Sequence, residues 1–294
     1  MEIADGIHLI KNPHRSYFVS SCLIVGDGLA LVDAGREESP EESIYPYIRG
    51  LGREPSEISL VVLTHAHWDH CGGLARIVVD TGCDVAVHGR GRAYLVDPEL
   101  SGREREERFP GVPSGGVGYE AVEPDILLSD GSYLNVDGRR LRAVHTPGHS
   151  VCSCCIVDEA EGIYVAGDSV QGRGEARPLI FHSIDAYEES MRRLLGEPIR
   201  ALVNGHPFPP YGRAVLRGEE IRTHIEESLR AVEELRTIVL ATLKGASTPL
   251  SLTRVHEETG AARPLTIGCV LEALESEGLA QRKKSESGDL WLAR

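Results

Sequence analysis

The chain has 294 residues, 41% hydrophobic and 26% charged, with a formal net charge of −14, which describes a globular protein large enough for one big domain or two unequal ones. The acidic balance argues against a chain built around a broad basic nucleic-acid surface, although a local basic groove stays open. No apolar run approaches the roughly 18 residues of a membrane span, and Glu2 and Asp5 stand where a secretory signal carries base, so a cytoplasmic protein is expected.

Residues 7–33 read as strands. The apolar runs Tyr17-Phe18-Val19 and Cys22-Leu23-Ile24-Val25 lead through Gly26-Asp27-Gly28, a hairpin signal, into Leu29-Ala30-Leu31-Val32. Asp33 then sits at a strand end. A helix is expected from Pro40 to about Gly50, with Ser39 as its cap. Leu60-Val61-Val62-Leu63 is the next strand and delivers Thr64-His65-Ala66-His67-Trp68-Asp69-His70, four metal-ligating side chains within six residues. Gly73–Thr81 reads as a helix and Val85–His88 as a strand. Residues 97–125 are rich in Pro, Gly and charge and read as a structureless insertion: a lid or substrate-facing cover, a plain surface excursion, or a dimer contact.

Strands resume at Ile126–Leu128, Tyr133–Val136 and Leu141–Val144, with a hairpin turn at Asp137-Gly138. After Thr146-Pro147-Gly148-His149 come strands at Val151–Val157 and Ile163–Ala166, the second ending in Gly167-Asp168. Asp185-Ala186-Tyr187-Glu188 resembles a capping box opening a helix Tyr187–Leu195. Ala201-Leu202-Val203 is a short strand ending in Asn204-Gly205-His206. Strands and helices in two successive halves, with polar signatures at strand ends, fit mixed sheets with helices on their outer faces. From Glu219 to Lys244 apolar residues recur at three- and four-residue steps, as in one long helix. Two further helices, Ser251–Thr259 and Leu265–Glu277, precede strands at Ala280–Ser285 and Leu290–Ala293. The expected division is residues 1–217, a connecting helix at 218–235, and a winged-helix-like domain at 236–294.

A single histidine carries little weight, but this set carries more. His65, His67, Asp69, His70, His149, Asp168 and His206 are imidazole and carboxylate donors suited to Zn, Mn or Fe, and seven such groups complete two metal sites if one carboxylate bridges. Thr64-His65-Ala66-His67-Trp68-Asp69-His70, with Gly148-His149, Gly167-Asp168 and Gly205-His206 in order, resembles the metallo-β-lactamase-fold hydrolase superfamily over roughly residues 7–210. The resemblance implies an α+β fold, a four-layer αββα sandwich followed here by the small winged-helix-like helical domain. It implies two divalent metal ions, zinc above all, with Fe or Mn as alternatives. His65, His67 and His149 would hold one ion, Asp69, His70 and His206 the other, with Asp168 between them and a bridging hydroxide as nucleophile. Asp69 would also act catalytically, by orienting that nucleophile or passing a proton. Asp33 matches a position that orients a ligand, against the alternative of a turn-capping Asp.

His67 stands where the oxygen-reducing diiron members are expected to carry Glu, which favours hydrolysis. The expected function is hydrolysis of an ester, thioester or related small molecule. The alternative, a metal-dependent single-strand RNA endonuclease, follows from the tail's similarity to the lactamase-β-like-2 group. Residues 236–294 hold eight Lys or Arg and seven Asp or Glu, with Glu272, Glu275 and Glu277 on the would-be recognition helix, so a packing or homodimer module is favoured over an RNA contact. The thiols of Cys152, Cys154 and Cys155 are expected to be buried packing groups, and Cys71 structural. His182 and Arg173 are candidate substrate contacts, and Phe208 with its neighbouring prolines a wall of the cleft.

Overall fold

A computed structural model describes residues 1–112, 118–136, 138–284 and 288–294. In the first half the described residues form β1 (Glu2–Ala4), β2 (Ile7–His14), β3 (Tyr17–Val25), β4 (Leu29–Val32), α1 (Tyr45–Gly50), β5 (Ile58–Val62), α2 (Trp68–Cys71), α3 (Leu74–Thr81), β6 (Asp84–His88), α4 (Arg92–Val96), α5 (Leu100–Arg108) and β7 (Ile126–Leu128). The seven strands lie in sequence order in one sheet. β1 to β4 pair antiparallel, and β4 to β7 pair parallel.

The second half contributes β8 (Tyr133–Val136), β9 (Arg139–His145), β10 (Cys154–Asp158), β11 (Ile163–Gly167), α6 (Ile184–Leu194), β12 (Ala201–Asn204) and β13 (Val215–Arg217). These strands form a sheet in the order β13-β12-β11-β10-β9-β8, with the β11–β12 pair parallel. The tail adds α7 (Glu219–Gly245), β14 (Leu250–Ser251), α8 (Leu252–Thr259), α9 (Pro264–Ser276), β15 (Ala280–Lys283) and β16 (Leu290–Ala293), the three short strands forming a sheet of their own.

Alternation along the strands builds the layers, because successive side chains point to opposite faces. Ala30 and Val32 of β4 meet Cys154 and Ile156 of β10 in the core between the two sheets. Leu29 and Leu31 face the other way and pack with Ile44, Ile48, Leu74 and Ile77 of the first helical layer. Cys155 and Val157 likewise turn outward, under Tyr187 and Met191 of α6. The result is the expected four-layer αββα sandwich. Val232, Leu235 and Val239 of α7, Val270 and Leu271 of α9 and Trp291 of β16 belong to that same outer core. The tail therefore shares apolar packing with the sandwich.

Several local expectations change. The stretch 97–125 is not structureless: it contains the helix α5. Ser39 does not cap its helix; its hydroxyl accepts from Arg36 N instead. The helix expected from Tyr187 starts at Ile184, because Ser183 caps it through Ala186 N. The strand expected from Val151 starts at Cys154, residues 150–153 being held by hydrogen bonds of Ser150 N and Oγ to Ser153 Oγ. Asp137, of the expected Asp137-Gly138 turn, lies outside the described residues. Among the described residues no helix is long and apolar enough to cross a membrane.

Candidate metal centre

Every component of the cluster leaves the end of a strand or a strand link. β5 is apolar and buried, so the first polar residues after it, Thr64 and His65, emerge at the edge of the sandwich. The chain stays extended through His67 and then makes the single turn of α2, which carries Asp69 and His70. His149 lies in the β9–β10 link, and Asp168 and His206 follow β11 and β12. Two bonds between the sheets close this edge, Ser20 N to Gly205 O at 2.7 Å and Cys154 N to Thr64 O at 2.9 Å. Glycine is required where these loops converge. A Cβ at Gly205 would strike the Asp168 carboxylate and lie 2.7 Å from His70 Cε1, and Gly167, at φ +50°, abuts the Thr64 side chain.

Three overlapping triads result, each with donor atoms within 4.8 Å of one another: His65, His67 and His149; His65, His70 and Asp168; Asp69, His70 and His206. His149 Nε2 is 2.9 Å from His67 Nδ1. Asp168 stands centrally, with Oδ1 3.4 Å from His70 Nε2 and 3.5 Å from His206 Nε2, and Oδ2 3.6 Å from His149 Nε2. All seven residues singled out in the sequence are thus brought to one place.

Their outer atoms are committed elsewhere. Leu179 O accepts from His149 Nδ1 at 2.7 Å, and Phe18 O from His206 Nδ1 at 3.2 Å. Asp33 takes three bonds: Thr64 N at 2.7 Å, Thr64 Oγ1 at 2.8 Å and His70 Nδ1 at 2.7 Å. With its hydroxyl proton given to Asp33, Thr64 Oγ1 accepts from His65 Nδ1 at 3.1 Å. A proton fixed on Nδ1 leaves the Nε2 lone pair facing the cluster in His65, His70, His149 and His206, the arrangement that metal-binding imidazoles use. Asp33 is therefore an orienting residue, not a turn cap. It holds this place in a left-handed conformation, φ 63°, which costs a non-glycine residue energy but which Asp tolerates better than most.

The inner atoms lack such partners. His65 Nε2, His70 Nε2 and Asp168 Oδ1 are buried without a hydrogen bond among the described residues. Burial pushes the His65 imidazole well below its ordinary pKa, and the neighbouring His70 and His67 push the same way. Burial, with His149 close by, also holds His67 down to about 3. Burial opposes charge on His206 as well, but Asp168 and Asp69 outweigh it and raise that imidazole to about 9. Against its own burial, Asp168 is kept well below the usual carboxylate range by His206 and His70. The ion pairs of Asp69 and Asp168 among the described residues are with imidazoles alone. Carboxylates whose only countercharges among the described residues are imidazolium protons, beside orphaned imidazole nitrogens, fit divalent cations in the protons' place.

A cleft opens beside His67. Its walls are Phe109, Val151, Cys152, Phe181 and Leu265, with His182, Arg105 and Arg108 among them. The Phe181 ring lies 5.6 Å from that of His67 and 5.2 Å from that of His149, so the cleft and the cluster are continuous. α5 reaches the tail here: Arg108 pairs with Glu272 of α9 and donates to Phe181 O at 3.0 Å and His182 O at 2.8 Å. His182 accordingly lines the cleft, as the sequence suggested. Arg173 does not; it is half-exposed and paired with Glu234 of α7 at 2.8 Å. Phe208 is buried against His206, at 5.4 Å between ring centroids, and Cys71, Cys152, Cys154 and Cys155 are buried thiols as expected.

Sequence reasoning missed Gln171. Fully buried, it donates to Asp168 O and Leu179 O at 3.0 Å and accepts from Leu179 N at 2.9 Å, fixing the carbonyl that orients His149. Its position three residues after Asp168 was the only available signal. Phe18 O and Leu179 O act through the main chain, which leaves no trace in side-chain identity.

The family model described as the metallo-beta-lactamase superfamily matches residues 14–206, more than half of the chain and all seven clustered residues. The chain belongs to that superfamily. Among curated proteins it is 29% identical over 252 residues to an atrochrysone carboxyl ACP thioesterase of Aspergillus fumigatus, covering 83% of this chain and 50% of the relative. It is 30% identical to the lactamase-like protein aptB of Emericella nidulans, over 72% of this chain and 60% of the relative. The human acyl-coenzyme A thioesterase MBLAC2 is 32% identical over 49% of this chain and 53% of its own length. The chain thus spans roughly half to three fifths of these relatives. Among solved structures, a metallo-beta-lactamase family protein from Thermus thermophilus superposes with a TM-score of 0.78 at 24% identity, covering 100% of both chains. A beta-lactamase domain protein from Burkholderia ambifaria gives 0.75 at 20% identity over 100% of this chain and 93% of its own. At these identities the likeness is one of fold, and it extends over the tail as well as the sandwich.

Proposed function

We propose that the protein is a two-metal hydrolase of thioesters, with carboxylic esters as a secondary class. The observation that carries this reading is the trio of overlapping donor triads around Asp168, with buried ligating atoms that have no other use. Thioesterases among the relatives favour the scissile C–S bond. His65, His67 and His149 would hold one ion and Asp69, His70 and His206 the other, with Asp168 between them; zinc suits this donor set best, with Fe or Mn as alternatives. Such ions supply an activated water near neutral pH and polarise the carbonyl under attack.

The chain's own groups supply the rest. Asp33, Thr64, Leu179 O and Phe18 O keep the imidazoles in one tautomer and one orientation. Asp69, partly exposed at the cluster and 3.3 Å from His206 Nε2, would take the proton of the attacking water and pass it to the departing thiolate. Water adds to the carbonyl carbon, the C–S bond breaks, and acid and thiol leave. The apolar cleft beside His67 would seat the organic part of the substrate.

The RNA endonuclease reading loses ground in the tail, whose division at 218–235 and 236–294 into connecting helix and winged-helix-like domain we retain as a proposal. Arg282 of the basic triplet Arg282-Lys283-Lys284 is tied to Glu272, Glu275 and Asp289. The test is thiol release from acyl thioesters by metal-reconstituted protein. Turnover that disappears on chelation and in His149→Ala is expected; activity that survives both removes the reading, and cleavage of an RNA oligonucleotide without thioester turnover would replace it.

A further inference from the structure

The cleft beside His67 is apolar along its walls but holds one unusual charge. α5 carries three arginines. Arg103 pairs with Asp97 and Arg108 with Glu272, whereas Arg105 has no carboxylate partner among the described residues. Its Nε and Nη2 donate to Ser101 Oγ, one turn back on the same helix, the Nε at 3.1 Å. That contact positions the guanidinium without neutralising it and leaves Nη1 uncommitted among the described residues. Burial holds its pKa below the ordinary guanidinium value. A partly buried cation without a countercharge is costly unless a ligand supplies one.

The other charged groups of the cleft are placed differently. Glu104, the acid that lines it, is exposed to water and accepts from Tyr94 Oη at 2.7 Å. Arg108 is held by Glu272 and two carbonyls. The cleft thus brings His67 and a guanidinium in need of an anion into one space walled by Phe109, Phe181, Val151 and Leu265.

We propose that the acid part of the substrate enters this cleft and ends in a second carboxylate that pairs with Arg105. The substrates would be half-thioesters or half-esters of dicarboxylic acids, with an apolar arm between the scissile carbonyl and the terminal anion. This inference rests on the hydrolase reading, and binding of the product acid separates the two. Adipate and hexanoate present the same first carboxylate to the metal end and the same length of chain; only adipate carries the second carboxylate.

Isothermal titration of the metal-loaded protein should find adipate bound at least about tenfold more tightly than hexanoate, the scale of one charge-assisted contact. Arg105→Gln should erase that preference and Arg105→Lys restore part of it. Equal affinities in the unaltered protein, a preference that survives Arg105→Gln, or no detectable binding of either acid would each overturn the inference. An Arg105-dependent preference for adipate in a protein that hydrolyses no thioester would sustain the cleft assignment and remove the hydrolase reading instead. Thioester turnover with no preference for half-thioesters would do the reverse.

Discussion

The His–Asp cluster and the cleft beside it share His67, yet different contacts hold them in place. The cluster is fixed by short hydrogen bonds from strand ends and by main-chain carbonyls, as at Asp33, Thr64 and Leu179. Its residues arrive on loops that the two sheets position, and bonds between the sheets clamp its edge. The cleft is closed by pieces far apart in sequence: α5 from one insertion, the Phe181–His182 loop, and α9 from the tail, tied together at Arg108 and Glu272. The first arrangement suits a centre that must not move. The second would let the surface beside it vary while the centre stays intact.

Substitutions at the two regions should therefore differ in kind. The largest effect is expected at Asp168, the one carboxylate common to both ends of the cluster. Asp168→Asn should lower kcat/KM for a thioester by about a hundredfold or more and reduce bound metal, as read by elemental analysis. Asp33→Asn should be next. It keeps the shape but weakens the acceptor of His70 Nδ1, so metal affinity should fall by about ten- to a hundredfold in a competition with a chelating dye.

Arg108→Ala should act on the other region. It frees Phe181 O and His182 O and leaves Glu272 to Arg282 alone, so KM should rise more than kcat falls. Thermal unfolding should report a loss of about 1–3 kcal/mol. An Arg108→Ala protein with unaltered KM and lowered metal content would contradict the separation of the two regions.

The smallest effect concerns the seam between the tail and the cluster. His224 of α7 is buried beside Asn204, whose Nδ2 lies 3.2 Å from its Nε2, and burial lowers its pKa from 6.5 to about 4. The unfolded chain binds a proton at this group below about pH 6.5 while the folded chain refuses it until about pH 4. Its contribution to stability is therefore complete above pH 6.5 and is lost as pH falls toward 4, by at most about 1.4 kcal/mol per pH unit. His224→Gln should flatten the pH dependence of denaturant unfolding in that window; an identical slope would show that the seam does not hold the imidazole neutral.

The cluster was legible in the sequence because its chemistry is local. His65 to His70 lie in one six-residue stretch, and the other three residues follow glycines in strand-end turns or links. The layers were legible too, since β4 and β10 alternate between two apolar faces. The cleft was not. α5 has the composition of a solvated segment, Ser101-Gly102-Arg103-Glu104-Arg105-Glu106-Glu107-Arg108, and forms a helix whose Arg108 is anchored 164 residues away on Glu272. No spacing rule reports a contact at that distance. For the same reason Arg173, near the Asp168 motif, stayed open as a candidate substrate contact but pairs with Glu234 of α7, and Gln171 passed unnoticed.

The most direct test is the rate of thiol release from an acyl thioester by metal-reconstituted protein, with Asp168→Asn measured beside it under the same metal load. The account predicts multiple turnovers by the parent protein, abolished by chelation, and a rate at least about a hundredfold lower in the variant. Equal rates in the two proteins, or turnover that persists after the metal is removed, would contradict it.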